Sequence, residues 1–271
     1  MPDVQALAID LDGTLLVGES LSARNRDAVK RAFDAGIHVI IATARWRQMA
    51  ERIASEIGLH HTPVIACSGA QVYCTEIRKD IYDARLPQAF VEQLYDLCNE
   101  HRCIASATVD AHTWLKIDQK PAAEYLSEEL KWVEKLPRPE TDADHVNLPR
   151  IATVQGSSTI ALVRELHERD FTDQVNIFDS IGPSGRTVIT ITARGADKGI
   201  ALQKACDHLD IHHDSVVAFG DAHNDIEMFK VAGQSVAMGQ ADDSVKQAAT
   251  HVTAHHEEDG VAEFIETHLL K

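Results

Sequence analysis

Ala8-Ile9-Asp10-Leu11-Asp12-Gly13-Thr14 ends an apolar run that starts at Val4 and closes on two carboxylates, a glycine and a hydroxyl. A buried strand over residues 4–9 puts Asp10 at its carboxyl end, and Gly13 can turn the chain so that Asp12 faces the same mouth. Outward from this strand the pattern alternates. A helix is expected over residues 23–35, with Ser22 as N-cap and an apolar stripe at Ala28, Val29, Ala32 and Phe33. A strand over 37–42, a helix over 46–57 and a strand over 64–67 follow. The alternation resumes after Lys198 with a helix to 209, a strand over 215–219, a helix over 226–231, a strand over 235–238 and a helix ending near 270.

Between residues 85 and 186 the pattern changes. A helix over 87–101, strands over 103–108, 113–117 and 151–155, a helix over 157–169, and alternating stretches at 175–181 and 187–192 describe an antiparallel sheet with helices on one face. The expected fold is therefore α/β: a Rossmann-like parallel-sheet core with helices on both faces, plus an inserted α+β cap domain. The domain boundaries read as core 1–84, cap 85–186 and core 187–271.

A carboxylate at a strand end can attack phosphorus in a phosphate ester, while a second can move a proton. Two anions meet only when positive charge offsets them, so such a site also needs a divalent cation and a lysine. The sequence supplies a lysine and further carboxylates. Asp197-Lys198-Gly199 opens a helix, and Val216-Val217-Ala218-Phe219-Gly220-Asp221-Ala222-His223-Asn224-Asp225 is a second apolar strand ending in acids. A calcium loop is excluded for Asp10-Leu11-Asp12-Gly13, because Thr14, Leu15, Leu16 and Leu21 follow where further oxygen ligands belong.

These motifs resemble the haloacid dehalogenase superfamily, and more closely its Cof-type sugar-phosphate phosphatases with a large inserted cap. Asp10 to Thr14 match the family's first motif, Thr43-Ala44-Arg45 the second, Lys198 the third and Gly220 to Asp225 the fourth. Ala44 stands where a glycine is usual, and Cys67-Ser68-Gly69-Ala70 where Asn-Gly-Ala is usual. The resemblance implies Asp10 as nucleophile and magnesium ligand, and Asp12 as general acid and base with its backbone carbonyl on the metal. It further implies Asp221 as the remaining protein ligand, with Asn224 and Asp225 supporting the metal shell. Thr43, Ala44, Arg45 and Lys198 then hold the transferring phosphoryl group, with bracing of the loop the equal alternative for Arg45. The expected cofactor is Mg2+, and the expected activity is hydrolysis of small phosphate monoesters through an aspartyl-phosphate. A phosphosugar mutase of the same superfamily and a noncatalytic sugar-phosphate binding module are the alternatives. The inserted cap is expected to set selectivity. Asp110, His112, Trp114 and Lys116 read as exposed residues of an edge strand.

The chain has 271 residues, 44% of them hydrophobic, enough to bury proper cores. Its formal charge of −16 excludes long-range attraction to nucleic acid or anionic lipid. No apolar stretch reaches the roughly 20 residues of a membrane-spanning helix. Met1-Pro2-Asp3-Val4 lacks a secretory pattern, and five cysteines without Cys-x-x-Cys spacing suit reduced thiols, so a cytoplasmic monomer or weak homodimer is expected. The partner is a small-molecule phosphate ester, with no nucleic acid and no membrane. The pairs His60-His61, His212-His213 and His255-His256 read as surface residues.

Overall fold

The computed structural model describes residues 4–122, 128–139, 148–181 and 185–270; the absence of a signal pattern at 1–3 lies outside them. The chain begins with β1 (Ala6–Ile9), β2 (Leu16–Val17), β3 (Ser20–Leu21), α1 (Ala23–Asp34), β4 (His38–Ala42), α2 (Arg47–Ile57), β5 (Pro63–Ala66), β6 (Gln71–Cys74) and β7 (Lys79–Asp83). It continues through α3 (Gln88–Glu100), β8 (Ile104–Val109), β9 (His112–Lys116), β10 (Leu130–Val133), β11 (Ile151–Gln155), α4 (Ser157–Asp170), β12 (Val175–Ile181) and β13 (Thr187–Ala193). The last part comprises α5 (Lys198–Leu209), β14 (Val216–Gly220), α6 (Ile226–Val231), β15 (Gln234–Ala237), α7 (Asp243–Ala248), β16 (His251–Val252) and α8 (Gly260–His268).

Two compact units result: Met1–Asp83 with Asp197–Lys271, and Ala84–Ala196. In the first, eight strands are ordered β16-β15-β14-β1-β4-β5-β6-β7, parallel from β16 to β5 and antiparallel at β6 and β7. Period-two alternation explains why helices cover both faces. Leu7, Ile9, Ile41, Val217 and Phe219 pack with Val29, Ile53 and Phe264 of α1, α2 and α8. Ala6, Ala8, Ile40 and Ala218 pack with Leu202, Met228 and Val245 of α5, α6 and α7. Each large aliphatic side chain so buried contributes about 1.5–3 kcal/mol. Ser22 caps α1 by accepting from the Asn25 backbone N–H at 3.0 Å.

Chain order reverses beside β1: the chain steps to β4 and β5 on one side and later to β14, β15 and β16 on the other. Such a reversal leaves a crevice beyond the carboxyl ends of the strands.

The second unit has a six-stranded sheet, β10-β9-β8-β11-β13-β12, antiparallel except for β9 with β10. Phe90 and Leu94 of α3 and Val163 and Leu166 of α4 join Ala105, Val154, Ile189 and Ile191 in one core. This unit extends to Ala196 rather than ending at 186, because β13 pairs along its length with β11 and β12. The sequence reading also lacked β10, which covers β9. Lys116 is therefore not an edge residue but is 6% exposed.

Candidate active site

Three adjacent parallel strands deliver the functional groups to one edge of the sheet. Asp10 follows β1, Thr43 follows β4 and Asp221 follows β14, with the Asp10 N–H donating to the Phe219 carbonyl at 3.1 Å. Beyond Asp10 the chain is pinned by its apolar residues: Leu11 and Leu15 are buried, and the Leu15 and Leu16 N–H groups donate to the Asp10 and Leu11 carbonyls. Gly13 sits at φ +77°, and a Cβ there would lie 2.2 Å from Asp221 Oδ2. Only glycine lets the first acidic loop approach the second this closely.

Lys198, the first residue of α5, is 1% exposed and donates to Asp10 Oδ1 and Asp225 Oδ1, each at 2.6 Å. Asp197 caps that helix by accepting from the Ile200 N–H at 2.8 Å, which fixes where the lysine starts. Asp225 Oδ2 accepts from the Asp221 and Ala222 N–H groups at 3.1 and 3.0 Å, so its carboxylate is held on both sides. The sequence reading placed Asp225 in support of a metal shell; it is also the lysine's second anchor.

Burial pushes the Asp10 carboxyl well above the ordinary range, with Lys198 opposing the rise and Asp225 and Asp221 adding to it. Burial and the charge on Asp225 raise Asp221 to about 6. For Lys198, burial disfavours the ammonium, but the Asp10 and Asp225 carboxylates outweigh it and hold the pKa above the usual lysine value. Asp10, Asp221 and Asp225 each offer a carboxylate oxygen within 4.8 Å of the others. Three carboxylates against one ammonium leave two negative charges uncompensated. The buried Asn224 Oδ1 also has no hydrogen-bond partner among the described residues. An all-oxygen set with this charge deficit fits a hard divalent cation.

The Asp12 carboxylate stands apart from that cluster. Arg45 Nε donates to Asp12 Oδ2 at 2.8 Å, Arg45 Nη2 donates to Oδ1, and Nη1 donates to Glu19 at 2.7 Å. Of the two roles open to Arg45, its contacts with Asp12 and Glu19 are those of a brace on the first loop. Thr43 is fully buried, and its hydroxyl accepts from the Arg45 N–H at 3.1 Å, leaving its own proton to donate. Ala44 between them is exposed. The Cys67-Ser68-Gly69 corner carries three successive positive φ values, 53°, 56° and 96°. The Cys67 and Ser68 N–H groups donate to the Arg45 and Thr43 carbonyls at 2.8 and 3.1 Å, tying this strained corner to the phosphate-side loop.

A family model for haloacid dehalogenase-like hydrolases matches residues 7–265. The chain belongs to the haloacid dehalogenase-like hydrolases. It is 30% identical over 266 residues to the 5-amino-6-(5-phospho-D-ribitylamino)uracil phosphatase YcsE of Bacillus subtilis, covering 97% of this chain and 95% of that protein. It is also 30% identical over 277 residues to the pyridoxal phosphate phosphatase YbhA of Escherichia coli, covering 98% and 99%. A haloacid dehalogenase-like hydrolase of known structure from B. subtilis matches with TM-score 0.81 over 98% of this chain and 100% of that one; at 22% identity this speaks to the fold alone. The protein is thus a haloacid dehalogenase-like phosphatase, an enzyme of phosphate ester chemistry.

Several residues of this haloacid dehalogenase-like site escaped the sequence reading. Gln240 Nε2 donates to the Gly13 carbonyl, and Gln240 Oε1 accepts from the His256 N–H at 3.1 Å. The His256 ring contacts the Leu16 carbonyl at 3.1 Å through Nδ1, so His256 anchors the first loop rather than serving as a plain surface residue. Their partners lie far away in the chain, so no local pattern flags them. His223 is exposed and pairs with Ser244 at 3.0 Å.

Proposed function

We propose that the enzyme hydrolyses small phosphate monoesters, sugar phosphates among them, through a phosphoryl group carried transiently on Asp10, with magnesium as its cation. The observation that carries this reading is the buried Asp10–Lys198–Asp225 line, in which a carboxylate at a strand end is held at 2.6 Å by a lysine that nothing else requires to be buried. Asp10, Asp221 and the backbone carbonyl of Asp12 would hold the ion, with Asn224 and Asp225 orienting them. When bound, magnesium supplies the positive charge that lets an anionic ester approach an anionic carboxylate.

In this mechanism an Asp10 carboxylate oxygen forms a bond to phosphorus as the ester oxygen departs. Asp12 gives its proton to that oxygen, then takes one from the water that displaces the phosphoryl group from Asp10. Donation requires the Asp12 side chain to exchange Arg45 for the leaving oxygen. Lys198 and the Thr43 hydroxyl hold the remaining phosphoryl oxygens. The two relatives act on a phosphoribitylamino compound and on pyridoxal phosphate, both primary phosphate monoesters, which supports a small soluble ester as substrate. Among the described residues no helix is long and apolar enough to cross a membrane, in keeping with a cytoplasmic enzyme. Selectivity for the leaving group is assigned to the inserted unit.

Phosphate release from a panel of monoesters, with magnesium and with excess chelator, tests the reading. Turnover of at least one small sugar or cofactor phosphate with magnesium, lost in chelator, is expected. Full turnover in chelator contradicts the cation assignment, and isomerised sugar phosphate without free phosphate shows a mutase instead.

A further inference from the structure

The second unit carries a pair of thiols that the phosphatase site does not use. Cys98 is fully buried near the end of α3, and Cys103, 7% exposed, precedes β8. The Cys103 thiol donates to the Cys98 carbonyl oxygen at 3.5 Å, which folds the two cysteines into one buried corner. The buried Lys116 ammonium donates to the His101 and Cys103 carbonyls at 3.4 and 3.5 Å. Among the described residues no carboxylate pairs with it. A buried cation favours a counter-charge close by, and a thiolate beside it supplies one.

Access is unequal. Cys103 lines a cavity of about 670 Å³ together with Arg102, Asp118, Ser157 and Arg186, whereas Cys98 does not reach it. The two sulfurs also differ chemically. The neighbouring Cys98 thiol, followed by the Lys116 charge, lowers Cys103 from the ordinary thiol value, with burial and Asp118 opposing. The neighbouring Cys103 thiol and burial raise Cys98 in turn.

We propose that Cys98 and Cys103 are a hydroperoxide-reactive dithiol, with Cys103 attacked from the cavity and Cys98 resolving it into a disulfide. The Cys103 thiolate forms an S–O bond as the peroxide O–O bond breaks, and the departing oxygen takes a proton to leave as water or an alcohol. The Cys98 sulfur then forms the S–S bond as that S–O bond breaks, and its proton leaves with the hydroxide as water. Two thiols and one hydroperoxide thus give one disulfide, one alcohol or water, and one water.

The test treats the full chain with stoichiometric hydrogen peroxide, counts free thiols after denaturation and maps them by peptide mass. Free thiols should fall from five to three, with a Cys98–Cys103 disulfide that dithiothreitol reverses. In Cys98→Ala the reaction should stop at a Cys103 sulfenic acid captured by dimedone, and in Cys103→Ala all four remaining thiols should survive. Phosphate release and thermal unfolding of each variant report whether it is folded. Independently of any variant, iodoacetamide should alkylate Cys103 of the parent first, ahead of Cys206, which burial raises to about 11. Five retained thiols, a disulfide elsewhere, unchanged oxidation in Cys103→Ala, or first alkylation at Cys67, Cys74 or Cys206 would each overturn the proposal.

Discussion

Asp10 and Asp12 are separated by one residue and each is held by a cation, but the side chains of Asp10 and Lys198 are 7% and 1% exposed whereas those of Asp12 and Arg45 are 50% and 16% exposed. Leu11 between them is buried, which fixes the turn that sends one carboxylate inward and the other toward solvent. The inner group is an electrostatic frame: its partners cannot separate without stranding a charge in a dry place. The outer group can break and re-form at little cost, because water replaces whichever partner leaves. An attacking group benefits from the first environment and a proton carrier from the second.

The largest expected effect is at the centre of the frame. Asp10→Asn should lower phosphate release by at least about 10^4-fold, since an amide keeps the shape but cannot carry the phosphoryl group. It should also leave the cation-free protein as stable as the parent or more so, because it removes one charge from an over-negative cluster. Activity assays and thermal unfolding in chelator check both, and a variant that is fully active or that unfolds would break the picture of the frame.

Lys198→Met should come next. Removing the ammonium that bonds Asp10 and Asp225 should cost about 3–5 kcal/mol in denaturant unfolding as well as activity. A cost below about 1 kcal/mol would place this pair with the outer one.

The frame also predicts how pH and cation interact. With Asp10 and Asp221 raised, Asp221 to about 6, the cation-free folded protein holds protons that the unfolded chain has lost above an ordinary carboxylate pKa of about 3.9. Stability in chelator should therefore fall as pH rises through that window. Magnesium should raise the melting temperature more at pH 7 than at pH 5, and an equal rise at both would contradict the charge deficit.

These contrasts show what was legible in the sequence. Asp10, Asp221 and Lys198 could be found because each sits at the end of a strand or the start of a helix that hydrophobic periodicity marks. The core alternation at Leu7 and Ile9 and the capping by Ser22 were equally local. Gln240, His256 and Glu19 were not legible, because their partners lie far off in the chain and no periodicity announces a loop contact. The hairpin β6–β7 was missed because Gln71 to Asp83 mix charged and apolar residues, as outer strands do. Missing β10 turned Lys116 from a buried cation into a supposed edge residue. Arg45 could be read only as a choice between phosphate and loop, because its bonds to Asp12 and Glu19 depend on how the first loop turns.

The smallest effect belongs to the outer pair. Arg45→Gln should change unfolding free energy by less than about 1 kcal/mol. It should lower turnover by about tenfold or less, in kcat rather than KM, by leaving Asp12 unguided. A loss comparable with that of Asp10→Asn would mean that Arg45 acts on the phosphoryl group itself.

The central claim is that Asp10 carries the phosphoryl group between ester and water, so that phosphorus is attacked twice. Stereochemical analysis of a monoester made chiral at phosphorus with oxygen isotopes tests this most directly. Two successive in-line displacements predict retention of configuration in the released phosphate, and inversion would show that water attacks the ester directly and that Asp10 is not the nucleophile.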